Sequence, residues 1–237
     1  MRFKPNVTHV IFLDLEYYVP KEHRNRPGLK ANPYLDGSFL IGGVFQRYFP
    51  IEDRPEKKEE FWIWEQDGES IGEKEKALLR KICYYFRESW TRWEVLGNDS
   101  RLTEPIVAGF GIARFDVPVL FSRSLKHEIA DPTKLYDTYF KLRPFDLSVA
   151  AATIVPETKY PKVLAPVSQN WAVKHLIGNG ERKPSGTTVW ELYDQGNYEK
   201  IAERTRAEVE IAKRVYSKLL KMRNNTINTR GKGNRQS

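Results

Sequence analysis

Asp14 and Glu16 close an apolar run, Val10-Ile11-Phe12-Leu13-Asp14-Leu15-Glu16. Its β-branched and aromatic residues suit a buried strand. Alternation along a strand turns residues two apart to the same face, so both carboxylates aim together. Crowded anions repel, and a divalent cation converts that repulsion into binding, because hard cations such as Mg²⁺ take oxygen ligands. A strand that stopped at Leu13 would instead leave both acids solvated in a loop, and these seven residues admit either reading. A third acid, Asp116, follows a glycine-containing turn in Gly109-Phe110-Gly111-Ile112-Ala113-Arg114-Phe115-Asp116-Val117-Pro118. It can serve a site, or cap a helix that opens near Pro118.

The fourth acid comes from helical geometry. Asn197 to Met222 reads as the longest helix. At about 100° per residue, Ile201, Ala202, Val209, Ala212, Val215, Tyr216 and Leu219 form one stripe roughly 140° wide. Glu208 falls inside that stripe, whereas Glu203 and Glu210 project from the opposite face. A carboxylate on a buried face is costly unless it is paired or holds a metal. Arg204, one turn earlier, is its available ion-pair partner.

Other elements must bring these residues together. Lys21 to Pro33 is a basic, proline-containing surface loop. Gly37 to Phe45 and Phe61 to Trp64 read as strands of an antiparallel meander, separated by the charged turn Ile51 to Glu60. Gly72 to Trp93 has helical spacing at Ala77, Leu78, Ile82, Tyr85, Phe86 and Trp90. Ile106 to Phe110 is a short strand, and Phe115 to Leu125, Asp146 to Ile154 and Ser168 to Ile177 are helices, with Asp146 as a cap. The alternation predicts an α/β fold with one domain over residues 1 to 222. Residues 223 to 237 hold no acid and no aromatic, which predicts a disordered basic tail.

Composition narrows the partners. Among 237 residues, 40% are hydrophobic and 30% charged, and no apolar run approaches the roughly 20 residues of a membrane-spanning helix. The opening MRFKPNVTHV lacks the pattern of a secretory signal, and Cys83 is the single cysteine. A reducing cytoplasm is expected, with no disulfide and no cysteine-based zinc site. The net charge of +8 favours a polyanionic partner. Arg24, Arg26 and Lys30 in the long loop, together with Lys183, can line a nucleic-acid backbone path. Tyr17 and Tyr18 can stack on a base. The four histidines have no metal-ligand spacing.

Taken together, Phe12-Leu13-Asp14-Leu15-Glu16, Gly109 to Leu120, and Ser185 to Trp190 with Ile201-Ala202 and Glu208-Val209-Glu210 resemble the three motifs of the DEDD (DnaQ-like) 3′-to-5′ exonucleases. Within them, the chain is most similar to the group related to the proofreading domain of family B DNA polymerases. The resemblance spans roughly residues 8 to 222. It implies a ribonuclease H-like mixed central sheet flanked by helices. It also implies two Mg²⁺ or Mn²⁺ ions held by Asp14, Glu16, Asp116 and Glu208, with hydrolysis of single-stranded DNA by a homotrimer. Phe115 and Arg204 are then substrate contacts. Three positions depart from the family pattern: Gly111 stands for the usual Asn, Glu208 for an Asp, and Arg204 for the usual Tyr. Two alternatives stay open: a catalytically impaired nucleic-acid-binding module, and an exonuclease that acts on RNA.

Overall fold

The computed structural model describes residues 8–25, 32–49, 54–91, 104–154, 165–178 and 188–233. Strand β1, Val10–Tyr18, lies at the centre of a five-stranded sheet. Only Asp14 and Tyr18 along it are less than buried. Cover on both faces explains why the strand reads as an almost unbroken apolar run. It pairs antiparallel with β2 (Phe39–Phe49) and parallel with β4 (Ile106–Gly109). With β3 (Arg54–Trp62) beside β2 and β5 (Arg143–Asp146) beside β4, the order is β3-β2-β1-β4-β5, and β2 runs against the others. Helices flank this mixed sheet, so the α/β expectation holds. They are α1 (Ile71–Thr91), α2 (Asp116–Lys126), α3 (Pro132–Tyr139), α4 (Leu147–Ile154), α5 (Gln169–Ala172), α6 (Thr188–Asp194) and α7 (Tyr198–Gly233).

Close packing dictates one glycine beside the strand centre. A Cβ on Gly43 would come within 2.6 Å of the Asp14 carbonyl oxygen and of the Leu15 side chain, so β1 and β2 approach as they do only because that atom is missing. The apolar stripe of α7 packs Ile201, Val209, Val215 and Leu219 into a core shared with Phe12, Val44, Phe45 and Phe86. Cys83 is buried and forms no disulfide.

Several elements depart from the sequence expectation. Strand β3 occupies most of the segment expected to be a charged turn, and Ile63–Glu65 forms a 3₁₀ turn where that strand was expected to continue. As the edge strand it can keep its charges, since α7 supplies partners: Lys58 pairs with Glu210 at 2.6 Å, and Glu60 with Arg206 at 2.6 Å. Helix α7 runs to Gly233, beyond the point where composition predicted order to stop. Extending an existing helix costs far less than nucleating one, and no proline interrupts that stretch. Helices α3 and α6 and strand β5 were not foreseen. No helix among the described residues is long and apolar enough to cross a membrane.

Candidate functional site

Because β1 continues to Tyr18, Asp14 and Glu16 lie within the strand and not in a solvated loop. Helix α7 crosses this strand and places Glu208, 4% exposed, against them. One carboxylate oxygen from each of Asp14, Glu16 and Glu208 lies within 4.8 Å of the other two. That convergence of hard oxygen donors from the two ends of the chain fits a divalent ion. The helical-stripe argument therefore picked the acid that reaches the strand, while Glu203 remains exposed and Glu210 binds Lys58.

Asp116 lines the same cleft in a different way. It is the first residue of α2, and its Oδ1 accepts a hydrogen bond from the Leu15 backbone N–H at 3.1 Å. The carboxylate thus pins the start of α2 to β1, next to the three clustered acids but outside their tight group. The turn that delivers it is itself anchored. Gly111 has φ +76°, a left-handed conformation that favours glycine, and nothing lies within 4 Å of where a Cβ would be. Its position is explained by backbone conformation and not by crowding. Asp146 accepts from the backbone N–H groups of Gly111 at 3.0 Å and Ala113 at 3.4 Å, as well as from Ser148 at the start of α4. The cap expected at Asp146 is present, and it is also a brace for the turn.

Among the described residues, Arg204 is the cation that lines the cleft. Its Nε donates to Glu208 Oε1 at 2.8 Å and stands 3.8 Å from Glu16 Oε1. Burial opposes the guanidinium charge, but Glu16 and Glu208, then Asp14, hold its pKa above the ordinary arginine value. Thr205 Oγ1 lies 3.3 Å from Glu16 Oε1 and 2.8 Å from the Ile201 carbonyl, so its one proton serves either acceptor.

Around these charges is an open cleft of about 240 Å³, with Leu15, Tyr17, Phe110, Phe115 and Trp190 on its walls. Phe115 and Tyr17 meet edge to face at 6.1 Å, and the Trp190 indole N–H donates to the Tyr17 carbonyl at 2.8 Å. Burial pushes the Tyr17 phenol up to about 12, and its hydroxyl is 3.5 Å from the Asn32 carbonyl. Phe110 and Trp190 had no role assigned from sequence. Phe110 stood in view as the aromatic that follows β4, and Trp190 ended the segment matched to the third motif, but no periodicity marked the short helix α6 that turns it toward β1.

Two expected substrate contacts are engaged within the protein. Arg24 donates to Asp194 at 2.9 Å and to the Val19 carbonyl at 2.9 Å, and lies over the rings of Tyr18 and Trp190. Tyr18 stacks on Phe39 at 4.6 Å and donates its hydroxyl to Asp194 at 2.8 Å. Neither lines the cleft; together they fasten the end of β1 to α6. Arg26, Lys30 and Lys183 lie outside the described residues. Comparison with known protein families finds none that matches this chain, and comparison with curated proteins finds no relative.

Proposed function

We propose that this protein is a metal-dependent 3′-to-5′ exonuclease that hydrolyses single-stranded DNA. The observation that carries the reading is the meeting of Asp14, Glu16 and Glu208 in a cleft that also holds Asp116. Strand order β3-β2-β1-β4-β5 with β2 reversed supports a ribonuclease H-like sheet, with the acids on its central strand. Asp14, Glu16 and Glu208 would hold the divalent cation, Mg²⁺ or Mn²⁺, with Asp116 beside them. When bound, the chemistry it supplies is Lewis-acid activation of water and neutralisation of the departing 3′-oxygen.

The remaining work falls to the chain. Phe110 and Phe115, both half-buried, give the cleft aromatic walls on which a terminal base stacks, which is tolerant of sequence. Arg204, fixed by Glu208, presents positive charge to a phosphodiester entering beside the acids. It cannot take a proton from water, being charged at any working pH. Tyr17, with its raised pKa, is no better as a base.

The test is digestion of 3′- and 5′-labelled oligonucleotides, DNA and RNA in parallel, by wild type, Asp14→Ala and Glu208→Ala. Metal-dependent shortening of DNA from the 3′ end is expected, abolished by Asp14→Ala and severely reduced by Glu208→Ala. Full activity in both variants overturns the reading. The Arg204–Glu208 ion pair favours a second reading, in which the module binds nucleic acid without cutting it. Melting with and without Mn²⁺ separates the two, since an ion bound only by the folded state raises the melting temperature.

A further inference from the structure

We propose that Arg204 takes the place of one of the two cations expected at this site, so that the acidic cluster holds a single divalent ion with the guanidinium as its fixed companion charge. This rests on the metal-dependent reading above.

The argument begins with what the oxygens already face. Arg204 Nε is 2.8 Å from Glu208 Oε1 and 3.8 Å from Glu16 Oε1, so the guanidinium bridges two of the three converging carboxylates. Its side chain is 11% exposed and that of Glu208 is 4% exposed, so the pair is shielded from the water that weakens surface ion pairs. A planar guanidinium carries its donors in a rigid fork suited to carboxylates, and arginine does not deprotonate in proteins. The positive charge is therefore permanent.

Asp14, Glu16 and Glu208 bring three negative charges, of which Arg204 offsets one. Asp116 contributes a further charge at the cleft wall, where its Oδ1 faces the Leu15 N–H. A second ion bridging Glu16 and Glu208 would contend with the guanidinium for the same oxygens and be repelled by it at close range. Two-ion sites need their ions about 3.5–4 Å apart, and the guanidinium already holds Glu208 Oε1 and faces Glu16 Oε1.

Manganese counting by electron paramagnetic resonance, together with isothermal titration calorimetry, tests this on the full chain without nucleic acid. Wild type is expected to bind one Mn²⁺ with the spectrum of an isolated ion. Arg204→Gln is expected to bind two, with the exchange-coupled spectrum of a close pair. Its first ion should bind about tenfold tighter or more, since an opposite charge at this range shifts a carboxylate by one to three pKa units. Arg204→Lys, which keeps the charge, is expected to stay at one. Two coupled ions in wild type overturn the proposal while leaving the exonuclease reading intact, and that count stands whether or not the variants fold. One ion in a folded Arg204→Gln, or two in Arg204→Lys, also overturns it. No ion in wild type overturns the metal-dependent reading itself.

Discussion

Asp116 has a backbone amide for a partner, the Leu15 N–H at 3.1 Å. Charge and hydrogen bond can therefore be separated at this residue. Asp116→Asn keeps an acceptor oxygen, so urea denaturation is expected to register a change within about 1 kcal/mol, while the proposed exonuclease activity falls sharply. Asp116→Ala leaves a buried N–H unsatisfied and is expected to cost about 1–3 kcal/mol as well. Residue-level chemistry was legible where periodicity fixed it: strand alternation paired Asp14 with Glu16, and helical phase selected Glu208 over Glu203 and Glu210. It was not legible at Arg24. The counter-charge of that residue, Asp194, lies 170 residues away in sequence, at the end of a helix without a long apolar stripe.

The elements that carry these residues are held by a few polar braces, of which Asp146 is the clearest. It joins the end of β5 to the Gly111–Ala113 turn and to the first turn of α4. Asp146→Ala is expected to lower stability by about 1–3 kcal/mol, because more than one backbone donor loses its acceptor. Amide exchange at Gly111 should rise in parallel, and the fraction of the proposed exonuclease activity retained should fall below that of an exposed control such as Asp67→Ala. Strong apolar runs made β1, β2, β4, α1 and most of α7 legible in the sequence. Strand β3 was hidden because an edge strand tolerates the charges that otherwise signal a turn. Helix α3 did carry a signal, Asp131 followed by Pro132 at the first helical position, with Asp131 accepting from the Thr133 N–H at 2.9 Å. In a helix of only 8 residues no periodicity reinforced it.

Across the whole molecule, one buried ion network links elements distant in sequence. Glu75 of α1, 1% exposed, accepts from the Leu40 N–H of β2 at 2.8 Å, from Arg123 of α2 at 2.8 Å and from His127 at 2.8 Å. Arg123 also donates to the Pro33 carbonyl at 2.7 Å. Burial alone would raise the Glu75 pKa, but His127 and Arg123 bring it below the usual glutamate value. A carboxylate depressed in the folded state binds its proton more readily when unfolded. Its stabilisation is complete above the unfolded pKa of 4.5 and is lost as pH falls through the lower folded value. Glu75→Gln is therefore expected to destabilise by about 3–5 kcal/mol at neutral pH. It should also flatten the dependence of melting temperature on pH below about 4.5, where wild type declines.

Trp190, on the wall of the cleft with its indole N–H on the Tyr17 carbonyl, gives the molecule a built-in optical reporter. Its emission should be quenched as paramagnetic Mn²⁺ is titrated in and change again when an oligonucleotide fills the cleft. A Trp190→Phe variant, silent at that position while the other tryptophans still fluoresce, isolates the signal. Occupancy of the centre can thus be followed in real time without a label and before any bond is cut.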